Sequence, residues 1–190
     1  MSSSKINDEG FTGLEAAIVL IAFVVVAAVF SYVVLGAGFF TTQKAQETVY
    51  KGVEQSTANI QMIGNVYGLS SNSTGATAGN ITEIKFSIGL APGAPAMDLT
   101  KMKIVFSTPS TSPVILAQGT TASTTVFTTK LNGATSANSL NANEQVEVHF
   151  LVYNVEANQK MNIELRPSVG AALPFSKTAP ATITATNVLY

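Results

Sequence analysis

The chain has 190 residues, of which 11% are charged and 46% are apolar, with a formal net charge of −1. Charged residues are less than half of the roughly 25% usual in a soluble domain. The near-zero balance argues against a nucleic-acid partner, and a mean hydropathy of +0.32 argues against a disordered chain. Absence of cysteine excludes disulfides, thiolate metal sites and thiol catalysis. With a single His and a single Arg, little remains from which to build a catalytic centre, and the chain reads as a protein that is not an enzyme.

The first ten residues, MSSSKINDEG, are short and polar. From Phe11 to Phe40 follow thirty residues containing one charge, Glu15, and no further charge occurs before Lys44. A helix of that length rises about 45 Å, more than the roughly 30 Å hydrocarbon core of a bilayer. It is apolar on every face, so either lipid or other helices must surround it. Gly13 with Ala17, and Ala27 with Ser31, place small residues at a spacing that permits close helix–helix approach. The run is about twice as long as the core of an ordinary secretory signal, and its charged-Gly junction lies before the apolar residues. Composition alone leaves an uncleaved signal anchor open.

The junction Asp8-Glu9-Gly10, followed by Phe11 and by Glu15 as the fifth residue beyond the glycine, resembles a class III, type IV pilin-like signal peptide. The length, missing cysteine and β-rich remainder resemble archaellins, the subunits of the archaeal motility filament. That resemblance covers residues 1 to about 40. It implies cleavage between Gly10 and Phe11 by a prepilin-like signal peptidase, a membrane-inserted precursor, and a homopolymer that grows with the archaellum assembly and motor machinery. It also implies that Phe11 and Glu15 act in assembly, because cleavage would create an α-amino group one helical turn from the Glu15 carboxylate or on an adjacent subunit. The competing reading places Glu15 near the headgroups, where it would favour the helix dipole.

Residues 41–67 place Val49, Val53, Ile60, Ile63 and Tyr67 at spacings of three, four or seven. The reading is one helix over about 12–67, with its second half amphipathic and Glu47 paired with Lys51 at i,i+4. This divides the chain into a removed signal peptide (1–10), a long helix (11–67) and an outer domain (68–190).

Residues 69–80 carry no periodicity and read as a loop. Beyond it the pattern switches to period two around 84–90, 102–106, 146–152 and 161–165, with weaker strands near 113–118, 124–131 and 181–189. Seven short strands between turn residues predict an antiparallel, Ig-like β-sandwich, so the fold class is α+β.

His149 has no second His beside it and reads as structural. Glu144, Glu147 and Glu156 form no set with a nucleophile and read as solvated. No catalytic residue, cofactor or metal site is assigned. Asn72-Ser73-Thr74 and Asn80-Ile81-Thr82 are sequons, which makes Asn72 and Asn80 candidate glycosylation sites. The Ser/Thr-rich stretch 107–129 reads mostly as strand threonine.

The sequence thus reads as an extracellular filament subunit held at the cell surface. Removing residues 1–10 would leave nine basic and nine acidic side chains, a balance suited to packing against identical neighbours. Two alternatives remain: a non-rotary type IV adhesion pilin, and a membrane-anchored surface domain that binds a ligand.

Overall fold

A computed structural model describes residues 6–70, 79–131 and 135–190. The chain divides into two compact units between Lys51 and Gly52. The described part of the first belongs to one helix, α1 (Ile6–Thr57). Its 52 residues correspond to about 78 Å of rise. Residues 6–10, read as a polar leader ahead of the helix, are part of it.

The helix also stops ten residues earlier than the spacing of apolar positions predicts. Thr57 turns its hydroxyl back to the Val53 and Glu54 carbonyls, the Ala58 N–H donates to Glu54 O at 2.9 Å, and the Asn59 side chain donates to Ser56 O at 3.3 Å. These bonds satisfy last-turn carbonyls that would otherwise lack partners. Residues 60–67, expected as helix, instead belong to β1 (Ile60–Leu69). A bulge between Ile63 and Tyr67, with Gly64 at φ +75°, shifts the pairing with β2 by two residues. The inward positions 60, 62, 66 and 68 keep one parity, whereas Ile63 and Tyr67 lie on the other face, so the apolar residues at 60, 63 and 67 imitate a helical stripe while belonging to both faces of the strand.

The second unit contains β1, β2 (Ile81–Leu90), β3 (Met97–Asp98), β4 (Lys103–Thr108), β5 (Thr111–Gln118), β6 (Val126–Leu131), β7 (Thr135–Ser136), β8 (Ser139–Leu140), β9 (Gln145–Val155), β10 (Lys160–Arg166), β11 (Leu173–Thr178) and β12 (Thr186–Leu189). A short 3-10 helix, Leu99–Lys101, follows β3. The main sheet runs β11-β10-β4-β5-β6-β9-β2-β1-β12, with β7 beside β6, and β3 with β8 forms a separate ribbon.

That path folds into two layers. Phe86 of β2 meets Phe175 of β11 edge to face at 5.5 Å, and Phe106 of β4 meets Phe150 of β9 at 6.0 Å. Phe86 and Phe150 are themselves in contact at 6.4 Å. The four rings therefore tie β4, β5, β10 and β11 to β1, β2, β6, β9 and β12 across one dry core. Such rings contribute both burial and about 0.5–1.5 kcal/mol of pair geometry. Ile84, Ile88, Val146, Val148, Ile104 and Ile163 fill the space around them and are essentially inaccessible.

The layers join at two seams. On one side β5 and β6 pair in parallel over two positions, Ala117 with Val126 and Gln118 with Phe127. Gly119 permits this crossing, since a Cβ there would sit 2.5 Å from Val126. On the other side, Thr178 and Tyr190 exchange backbone hydrogen bonds of 2.6 and 3.3 Å. The expected sandwich is therefore present, but it is not wholly antiparallel. The expected strand near 181–189 is confined to 186–189, and β11 was not anticipated, because Pro174 reads as a strand breaker. Proline is tolerated on a strand beside an open edge.

Candidate assembly surface

Every described side chain from Thr12 to Thr57 is exposed. Phe23 is 72% accessible and Tyr32 is 81%, values that belong to a surface awaiting a partner. Within this helix an 18-residue window reaches a mean hydropathy of 3.0. Val25, Val26, Val29, Phe30 and Val33 outline an open apolar groove along one flank. Burying such side chains is worth about 1.5–3 kcal/mol each, and no flank of the run between Leu14 and Phe40 is polar.

Three hydroxyls at and beyond the end of the apolar run are satisfied within the helix. Thr41 donates to Ala37 O at 2.8 Å, Thr42 to Gly38 O at 2.9 Å and Thr48 to Lys44 O at 2.9 Å. A hydroxyl bonded to its own helix can enter a dry interface without leaving an orphaned donor. Lys44 and Lys51 both donate to Glu47 at 2.8 Å, so the anticipated Glu47–Lys51 pair exists with a third member.

Gly10 and Phe11 lie inside α1, and Glu15 follows one turn beyond Phe11. Among the described residues Glu15 has no ion pair. Asn80 occupies a bend immediately before β2 and is half-exposed, whereas Asn72 lies outside the described residues. Thr82, the third sequon residue, directs its hydroxyl toward Leu69 O at 3.4 Å.

The structure disperses the remaining candidates. Glu144 closes a turn by accepting from the Asn141 N–H and side chain at 3.1 and 3.0 Å. Glu147 faces Lys130 across β6 and β9, and Glu156 begins the turn that follows β9. His149 contacts Glu83 at 3.1 Å on the outward face of β9 and β2. Among the described residues no group of three His, Asp or Glu side chains could hold a metal.

Sequence reasoning missed the seat beneath the helix exit. A Cβ on Gly170 would lie 1.6 Å from the Ala58 carbonyl oxygen, so the β10–β11 loop presses directly on the backbone leaving α1. Only the bare glycine in Ser168-Val169-Gly170 hinted at it.

Residues 10–177 match the family model for archaeal-type flagellin. A probable flagellin of Archaeoglobus fulgidus is 39% identical over 198 aligned positions, covering 96% of both chains. A second probable flagellin from that organism is 35% identical over 94% of this chain and 93% of its own. Among solved structures, the chain of the archaeal flagellum of Methanospirillum hungatei superposes with a TM-score of 0.70 at 35% identity, covering 94% of this chain and 99% of that one. Flagellin FlaB1 of Methanocaldococcus jannaschii shares the fold, with a TM-score of 0.60 at 16% identity over 70% of this chain and 96% of its own. An exposed apolar helix joined to a two-layer sandwich, with these matches along nearly the whole length, places the chain in the archaeal-type flagellin family.

Proposed function

We propose that this chain is the structural subunit of an extracellular archaeal motility filament and polymerises through α1. The supporting observation is the helix itself: residues 12–40 have no polar flank and are exposed in the single chain, in a protein 35% identical to a chain of an archaeal flagellum. Copies of α1 bury one another's apolar surface at the filament centre, and the sandwich faces outward. Hydrophobic burial and dispersion hold such a core together, and the subunit performs no chemistry.

Before assembly the same helix spans the membrane as a precursor. A prepilin-like peptidase then cuts between Gly10 and Phe11, and assembly and motor machinery receives the product. The charged-Gly junction ahead of the apolar run supports this order of events. Phe11 and Glu15 take part in assembly: cleavage supplies an α-amine as the cation that Glu15 otherwise lacks. The half-exposed Asn80 and the neighbouring Asn72 are the positions offered for glycans. Intact-mass and N-terminal analysis of sheared filaments tests the proposal. Subunits beginning at Phe11 support it, and filaments lacking this chain overturn it.

A further inference from the structure

The outward faces of the two sandwich layers differ in charge and share an unexplained apolar character. On the β4–β5–β10–β11 layer, Ile115 lies beside Val105, Val105 beside Glu164, and Glu164 beside Pro174, a row that crosses all four strands. Ile115 is 60% accessible in the single chain. Next to it, Val105, Ser107, Asn162, Glu164 and Pro174 border a shallow groove of about 380 Å³, roomy enough for an aromatic side chain. Lys103 and Arg166 stand directly opposite each other in the next row. Like charges so placed are unfavourable, and of the two only Arg166 has a carboxylate among the described residues, Glu164 at 2.9 Å. The outward positions of this layer carry Lys103, Lys160 and Arg166 against Glu164 alone.

The other layer lacks this positive excess and is acidic only at its ends. Its strands balance Glu83 and Glu147 against Lys85 and Lys130, and the turns at the two ends of β9 add Glu144 and Glu156. Its outward face exposes Tyr67 and Val188, which pair across β1 and β12, and Tyr153, which is 59% accessible. Two different apolar patches on one molecule, one beside uncompensated positive charge and one without it, fit each other between copies better than the positive face fits itself. A contact of unlike patches is heterologous, so it extends into a helical array unless its rotation closes a ring.

We infer that, in the filament, the Ile115–Val105 face of one outer domain packs against the Tyr67–Tyr153 face of a neighbouring copy. This rests on the filament reading above and adds a second interface at larger radius than the helical core. The interface covers Ile115 and the exposed tyrosines.

The absence of native cysteine makes the test direct. Full-length Ile115→Cys, Tyr153→Cys and the double variant are assembled into filaments, sheared, and treated either with a short bis-maleimide or with a maleimide dye. The double variant is expected to give a ladder of crosslinked multimers, and each single variant only monomers. The thiol introduced by Ile115→Cys is expected to label at least tenfold more slowly in filaments than in detergent-dissociated subunits. Should the loss of the Tyr153 contact with Thr124 prevent assembly, Val188→Cys replaces it. Filaments that label at the dissociated rate and crosslink to no ladder overturn the interface while leaving the helical core standing. Dimers from Ile115→Cys alone overturn its heterologous geometry. A wild-type chain that never enters filaments overturns both readings.

Discussion

Gly170 and Ala58 are in backbone contact: the Gly170 Cα lies so close to the Ala58 carbonyl that no β-carbon fits between them, and Gly170 has φ of +99°. Both facts restrict the position to glycine. The contact fixes the first residues beyond α1 against the β10–β11 loop, so the point where the chain enters the sandwich is set by backbone packing rather than by side chains.

Gly170→Ala is therefore expected to lower stability of the β-rich unit by about 2–4 kcal/mol, from combined backbone strain and overpacking. Thermal unfolding of the full chain in detergent, followed by loss of the β signal, reads the effect. Gly36→Ala is the control, because a Cβ there meets nothing within 4 Å. It should leave the midpoint unchanged or raise it slightly through helix propensity. Equal midpoints for wild type and Gly170→Ala would show that the loop yields easily.

Within the four-ring cluster Phe86 and Phe150 each make two ring contacts, and Phe86 touches both Phe150 in its own layer and Phe175 in the other. Phe86→Ala should cost about 3–5 kcal/mol. Phe175→Ala, at a partly buried rim position, should cost less. The order of the two denaturation midpoints checks the argument, and a reversed order would contradict it.

Charge placed in the apolar run should block assembly without unfolding the sandwich. Val26→Asp and Val33→Asp each bring about 2.5–3.5 kcal/mol of penalty into a dry helical interface, and both residues border the apolar groove of α1. The expected outcome is no filaments by electron microscopy, with the β-rich unit unfolding at the wild-type midpoint.

Glu15→Gln keeps shape and removes charge. Processed subunits with sparse or short filaments are expected, because the electrostatic preference for one axial register is lost. An effective dielectric near 20 gives roughly 4 kcal/mol at about 4 Å before desolvation is subtracted. Filament number and length equal to wild type would leave Glu15 as a headgroup-level residue.

Asp98 caps the 3-10 helix after β3, accepting from the Thr100 hydroxyl, the Lys101 ammonium and the Thr100 N–H, and these bonds hold its carboxyl below the usual range. A depressed folded value means the contribution is present above the unfolded carboxylate range and disappears as pH falls through the folded value. Asp98→Asn should lower stability modestly at neutral pH and flatten the acid limb, so that the two curves converge as pH falls through the folded value of the carboxyl. An identical acid limb would contradict the role.

Much of this architecture was legible because its signals are periodic. Continuous apolarity over residues 11–40 announced an assembling or membrane helix, and alternation over 84–90 and 146–152 announced β2 and β9. The failures share a physical cause. β1 hid because Ile63 and Tyr67 on its outer face fall at helical spacing from Ile60 on its inner face, and β11 hid behind Pro174. The β5–β6 crossing depends on a close approach at Gly119 that leaves no pattern along the chain. The Gly170 seat and the outward row from Ile115 to Pro174 are products of strand register, assembled from residues that are far apart in sequence.

The central claim is that α1 forms the interior of a homopolymer. Helical reconstruction of filaments sheared from cells tests it most directly. The account predicts bundled helical density at the axis, continuous from Phe11 to about Thr57, with sandwich density at larger radius. An axis without helices, or filaments whose core is built from sandwich domains, would contradict it.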